Sequence, residues 1–159
     1  MLEQVEEEDS FVLGKISGMD LPFLEGAMSS LTGLGSFYIA SFFLLVSWVA
    51  GLQDFTLRTT IGILGMWTVT YSLKYIVRRE RPADSNRATV GYSFPSGHSA
   101  TAFYLAVMFS SVLNLAPLLY TVAGLVATSR IYFRLHYPLD ALAGSLIGVS
   151  GGYLTLLLL

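Results

Sequence analysis

This chain of 159 residues contains two histidines, and each stands at the edge of a long apolar run beside other residues able to act on an anion. In the run SRIYFRLHYPLD the order is Ser129-Arg130, five residues, His136, three residues, Asp140. If a helix reaches back through Pro138 as an early-turn residue, Asp140 lies one turn beyond His136 and can take its N–H. That pairing fixes the imidazole tautomer and strengthens the other ring nitrogen as a nucleophile, as the orienting acid does in a hydrolase triad. The plainer reading is an interfacial Arg and His followed by a helix-capping Asp.

The second histidine closes the tetrapeptide Pro95-Ser96-Gly97-His98, immediately before an apolar run. Gly97 frees the backbone, and the helix that follows presents unpaired N–H groups, which favour anions. His98 at that entry can donate a proton to a leaving oxygen, while Ser96 and the amide of Gly97 hold a phosphate. The same four residues also make an ordinary helix-start turn.

A third cluster is the run KYIVRRERP, in which Lys74 is followed after six residues by Arg81-Pro82. Lys74, Arg78 and Arg81 are spaced four and three apart and are expected on one helix face until Pro82 ends the helix. Lys74 offers a point charge and Arg81 a planar fork, both suited to phosphate oxygens. Taken alone, the run reads equally as basic anchors snorkelling at an interface.

The elements that must position these clusters are helices in an apolar solvent. The chain is 53% hydrophobic and 13% charged, with a mean hydropathy of +0.62, whereas a soluble domain carries about 25% charged residues. Five stretches suit a hydrocarbon layer of about 30 Å: Leu34 to Leu52, Leu57 to Val77, Ser99 to Leu115, Pro117 to Leu135 and Leu139 to Leu159. The fold class expected is therefore all-α, a polytopic bundle of about five transmembrane helices in a multi-pass protein of the cell membrane. Counting crossings puts Lys74, His98, Arg130 and His136 on one membrane face. The positive-inside rule would call that face cytoplasmic, but basic residues needed to hold a substrate are not free to report topology.

Ahead of the first span, Leu21, Leu24, Met28 and Leu31 recur at helical spacing, with Asp20 placed to cap and Pro22 to open an amphipathic surface helix. For residues 1–19 a loosely ordered tail fits as well as a surface helix. The expected division is an acidic and amphipathic segment over 1–33 at the membrane surface and a transmembrane domain over 34–159. The acidic start lacks the pattern of a secretory signal, so the first span is expected to direct insertion.

Charge and composition narrow the chemistry. Seven of the nine basic residues fall between Lys74 and Arg134, so the centre of the chain calls for an anion. They sit at ends of apolar helices instead of forming an open patch, which argues against nucleic acid. With no cysteine, thiolate catalysis, disulfides and Cys-ligated zinc drop out. Ionisable groups at membrane depth are costly and usually functional. Steps of four from His136 and Asp140 lead to Gly144, Gly148 and Gly152, a narrow face for close helix contact. Steps from His98 lead likewise to Ala102, Ala106 and Ser110.

From about Arg58 to Leu159 the sequence resembles the type 2 phosphatidic acid phosphatase family. The three parts of that family's signature, Lys, six residues, Arg-Pro; Pro-Ser-Gly-His; and Ser-Arg, five residues, His, three residues, Asp, all match here in order. The resemblance implies a two-step reaction on a membrane lipid phosphate or diphosphate, without metal or other cofactor, through a phosphohistidine. In it Lys74, Arg81 and Arg130 bind the phosphoryl group with Ser96 and Gly97. His136 attacks phosphorus, Asp140 orients it, and His98 protonates the leaving oxygen and later activates water. Membrane members of the family commonly have six spans; five are expected here, with the acidic segment from Met1 to about Thr32 in place of the first, so that a homodimer or a surface helix is expected to complete the wall.

Three alternatives stand beside that reading. A phosphotransferase would pass the same phosphohistidine to a lipid or sugar acceptor, and a non-catalytic lipid-binding protein would keep the bundle without turnover. A vanadium haloperoxidase holds vanadate in a similar constellation but is soluble, which the apolar spans oppose.

Overall fold

The computed structural model describes residues 2–18, 22–83 and 91–159. Among the described residues the chain is all-α, with helices α1 (Leu2–Ser17), α2 (Pro22–Leu34), α3 (Phe37–Val49), α4 (Gln53–Val77), α5 (Gly97–Ser110), α6 (Ala116–Tyr132) and α7 (Pro138–Leu158). Pro22 opens α2 as expected, while Asp20 and Leu21 lie outside the described residues.

α5 is the axis of the bundle, because small residues let its neighbours approach. On α7, a Cβ at Gly144 would run into the carbonyl of Ser96, one at Gly148 into that of Ala100, and one at Gly152 would stand 2.6 Å from Val107 Cβ. The glycine stripe is therefore the surface on which α5 rests. On the opposite flank Ala102 and Ala106 pack against Ala123 and Val126 of α6. α4 brings Ile63 and Met66 against Ala100, Tyr104 and Met108.

Several polar groups inside the bundle are paired across helices. Tyr104 Oη donates to the Thr59 carbonyl at 3.0 Å and meets Thr155 Oγ1 at 3.2 Å. Trp67 Nε1 donates to Thr101 Oγ1 at 2.9 Å, and Ser47 Oγ meets Thr56 Oγ1 at 2.8 Å. The outer faces are apolar: Phe42, Leu45, Ile61, Leu64, Leu118, Leu146 and Leu157 are all exposed.

Taken singly, several helices are shorter than the apolar runs that contain them. α3 has 13 residues and α5 has 14, about 20 Å each. At the end of α5 the hydroxyls of Ser110 and Ser111 donate to the carbonyls of Val107 and Met108. α3 starts late, at a break where Ser36 caps it through a bond from the Ile39 amide. Among the described residues, α7 alone is long and apolar enough to cross a membrane. The pair α2 and α3, bent by 57° at residues 35–36, passes the same test together.

The acidic start, equally readable as a tail, is a docked helix. Leu13 of α1 packs with Ile131 and Ala141, and Ile16 joins Leu24 and Met28 of α2 against Tyr132, Phe133 and Leu135. α1 and α2 thus cover the end of the bundle where both histidines lie.

Candidate active site

α4 delivers Lys74 in its last turn and then ends at Val77, with Arg78 in the left-handed region at φ 53°. The common helical face expected for Lys74, Arg78 and Arg81 up to Pro82 therefore does not form. Arg78 turns outward and donates to the Tyr75 carbonyl, whereas the irregular chain beyond it swings Arg79 and Arg81 inward. Lys74 Nζ donates to the carbonyls of Pro95 at 2.7 Å and Tyr92 at 3.1 Å, which ties α4 to the loop ahead of α5. Arg81 donates from Nε to the Gly91 carbonyl at 2.9 Å and from Nη1 to the Leu135 carbonyl at 2.6 Å.

The turn Pro95-Ser96-Gly97-His98 opens α5 as its composition predicts. Ser96 is the N-cap: its Oγ accepts from the Ser99 amide at 3.4 Å and from Ser99 Oγ at 2.9 Å. Ser96 is fully buried, and its amide donates to the Asp140 carbonyl at 2.9 Å, locking α5 to α7. Gly97 and His98 follow on the open side. Gly35, in the bend between α2 and α3, sits so close that a Cβ there would stand 2.8 Å from the His98 carbonyl. That bend is glycine because the backbone of α5 leaves no room for a side chain.

α6 supplies Arg130, buried and donating from Nη1 to Thr32 Oγ1 of α2 at 2.8 Å. The loop between α6 and α7 supplies His136, and α7 begins at Pro138 with Asp140 in a capping box, its Oδ2 accepting from the Tyr137 amide at 2.9 Å. His136 thus precedes the helix instead of riding on it, yet its Nδ1 still faces Asp140 Oδ2 at 3.7 Å. Its Nε2 lies 3.4 Å from Arg81 Nη1. An arginine only donates, so Nε2 holds the lone pair and the proton belongs on Nδ1, toward Asp140. That is the tautomer required for attack through Nε2.

Lys74, Arg81, Gly97, His98, Arg130 and His136 line one cavity of about 390 Å³, with Tyr71, Tyr75 and Tyr92 on its rim. Burial is the main reason the His136 imidazole is pushed down to about 4, with Asp140 opposing and the charges of Arg130, Arg81 and Lys74 reinforcing it. At neutral pH it is an uncharged base among cations. A second recess of about 250 Å³ shares Tyr71, Gly97 and His98 and continues past Gly35, Phe37, Trp67 and Thr101 between α3, α4 and α5.

Of the residues singled out from the sequence, six face the cavity, while Ser96 and Asp140 stand behind them as buried supports. Two further residues escaped the sequence reading. Arg79 Nη1 donates to Asp140 Oδ1 at 2.9 Å and its Nη2 to Asp9 Oδ2 at 2.7 Å. Burial opposes the Arg79 charge, but the bonds and charges of Asp9 and Asp140 outweigh it and raise the guanidinium above its ordinary value. Asp9 is one acid in an acidic run and Arg79 one base in a basic run; nothing in their spacing marks them.

Residues 55–159 match the PAP2 superfamily. The chain is 28% identical over 176 residues to the lipid A 4'-phosphatase of Bacteroides thetaiotaomicron, an alignment covering 97% of this chain and 78% of that one. It is 30% identical over 121 residues to YbjG of Escherichia coli K12, whose name proposes an undecaprenyl-diphosphatase; that alignment covers 67% of this chain and 60% of the longer relative. The fold matches the crystal structure of Aquifex aeolicus LpxE with a TM-score of 0.83 at 27% identity, covering 91% of this chain and 92% of that one. The matched stretch takes in both histidines and every cation of the cavity, and this chain belongs to the PAP2 superfamily.

Proposed function

We propose that this protein is a multi-pass membrane phosphatase that hydrolyses a lipid phosphate or diphosphate through a phosphohistidine at His136. The observation that carries the reading is the cavity in which His136, His98, Lys74, Arg81 and Arg130 converge from α4, α5, α6 and the loops after α4 and α6. An apolar exterior supports the membrane placement. In it the five apolar segments cross the layer, α3 within the first of them, and α1 and α2 lie at the surface over the site.

In the first step Nε2 of His136 attacks phosphorus as the bond from phosphorus to the ester or anhydride oxygen breaks. Lys74, Arg81, Arg130 and the Gly97 amide hold the equatorial oxygens, where charge must be stabilised. His98 gives a proton to the departing oxygen, and the anionic substrate itself favours the imidazolium needed for that donation. In the second step His98 takes a proton from water, the water oxygen bonds to phosphorus, and the P–N bond breaks, returning the lone pair to Nε2 and releasing orthophosphate. The recess past His98 toward Phe37 and Trp67 adjoins the cavity and would receive the start of the lipid.

The test is phosphate release by the protein in detergent with EDTA, from lipid A, phosphatidate, phosphatidylglycerophosphate and a polyprenyl diphosphate, beside His136→Ala. Release from at least one lipid, abolished in a folded His136→Ala protein, is the expected result. Turnover retained in that variant would overturn the nucleophile assignment. Release that requires an added alcohol acceptor would move the protein to the phosphotransferases.

A further inference from the structure

Arg79 and Asp9 have no part in the mechanism above, yet Arg79 binds Asp140 and Asp9 binds Arg79. Asp9 is 4% exposed although it belongs to an otherwise exposed acidic run on α1. Its Oδ2 takes Arg79 Nη2 at 2.7 Å, and its Oδ1 takes the Leu139 amide at 3.0 Å, one residue before Asp140. Arg79 in turn holds Asp140 Oδ1 at 2.9 Å and stacks 4.0 Å above the Tyr137 ring. Asp9 lies outside the stretch that matches the superfamily.

The charges explain why such a chain of contacts matters. Asp140 facing Arg79 alone would be a neutral pair and would give little support to an imidazole that becomes positive as Nε2 bonds to phosphorus. With Asp9 added, the three groups carry a net charge of −1 beside His136 Nδ1. The other charged or titratable groups about His136 in the cavity are Arg81, Lys74, Tyr71 and Tyr75 on α4, Tyr92 ahead of α5, His98 on α5 and Arg130 on α6; no carboxylate is among them, so the negative balance has to come from this side. The bond to the Leu139 amide also pins the first turn of α7, on which Asp140 rides.

We propose that Asp9, acting through Arg79, is a positioning residue for the His136–Asp140 pair, so that the N-terminal helix α1 is an integral part of the catalytic apparatus. The inference rests on the phosphohistidine reading of His136 and deepens it.

The experiment compares Asp9→Asn, Asp9→Glu, Arg79→Gln and the control Glu8→Gln in the full chain. Glu8 is exposed on the same helix, so its substitution removes equal charge without touching Arg79. Asp9→Asn is expected to lower kcat by about tenfold or more, the scale on which supports behind functional ligands act, with KM nearly unchanged. The acid limb of kcat/KM moves to lower pH, because loss of a nearby anion disfavours the imidazolium. Arg79→Gln lowers kcat as well, Asp9→Glu recovers part of the loss, and Glu8→Gln behaves as the unaltered protein. A readout independent of turnover is the 15N titration of His136, which shifts to lower pH in Asp9→Asn. An unshifted titration with unaltered kcat would overturn the inference, as would a loss explained wholly by a smaller folded fraction. Turnover surviving in His136→Ala would instead remove the parent reading, whatever Asp9 does.

Discussion

His136 Nδ1 faces Asp140 Oδ2 across 3.7 Å, while each carboxylate oxygen of Asp140 already accepts another donor: Arg79 on Oδ1 and the Tyr137 amide on Oδ2. The contact is longer than a hydrogen bond, and among the described residues no hydrogen-bond partner reaches that buried ring nitrogen. Catalytic contacts of this kind often tighten only when substrate arrives. Asp140 is thus held by its neighbours in advance, and a small movement of the imidazole would complete the pair.

Asp140→Asn should therefore keep the fold and lose the chemistry. An asparagine oxygen can still accept from the Tyr137 amide, so the α7 cap survives, but the charge that supports the imidazolium is gone. The expected loss in kcat is about 100-fold to 10,000-fold, the latter being the scale of the corresponding change in a serine hydrolase triad. Thermal unfolding and steady-state phosphate release on the same preparation check it; near-normal kcat would remove Asp140 from its assigned role.

The depressed imidazole of His136, at about 4, sets a direction for stability against pH. The unfolded histidine titrates near 6.5, so between about 6.5 and 4 the unfolded chain binds the extra proton. This contribution is fully present above about pH 6.5 and is lost as pH falls toward 4, with a slope of at most about 1.4 kcal/mol per pH unit. The 15N spectrum of histidine-labelled protein should show His136 neutral at pH 7 with its proton on Nδ1, His98→Gln serving to assign the two resonances. A protonated ring at pH 7 would contradict the geometry.

Gly148→Ala tests the packing that brings α5 and α7 together. Its Cβ would strike the Ala100 carbonyl and lie 2.9 Å from the Tyr104 amide, both backbone atoms that cannot rotate away. A destabilisation of about 1–3 kcal/mol is expected, with activity falling as the bond between the Ser96 amide and the Asp140 carbonyl is disturbed. Gly65→Ala on α4 meets nothing within 4 Å and should be neutral or stabilising by up to about 1 kcal/mol from helix propensity. Denaturation midpoints in detergent compare the two, and equal midpoints would argue against the close approach.

Both histidines, the cations Lys74, Arg81 and Arg130, and the glycine stripe of α7 were legible in the sequence because type and spacing carry their meaning. Period-four small residues specify a helix face wherever the helix goes, and a Pro-Ser-Gly-His turn opens a helix by local chemistry alone. The departures arise where local pattern yields to tertiary contact. Helical spacing put Arg78 on the same face as Lys74 and Arg81, but Arg78 adopts a left-handed conformation and ends the helix, so the inward places went to Arg79 and Arg81. The acidic start had no fixed structure from its composition; Leu13 and Ile16 gave it one by docking on α6 and α7.

Composition and spacing by themselves determined an all-helical apolar chain with histidines and cations clustered at helix ends, since hydrophobic periodicity and side-chain chemistry are properties of nearby residues. Only the tertiary structure decided that Asp9 reaches Arg79, that Arg79 reaches Asp140, and that Ser96 stands behind the cavity wall. These contacts join residues 61 and 70 positions apart, and no local rule of the backbone encodes a meeting that depends on how whole helices pack.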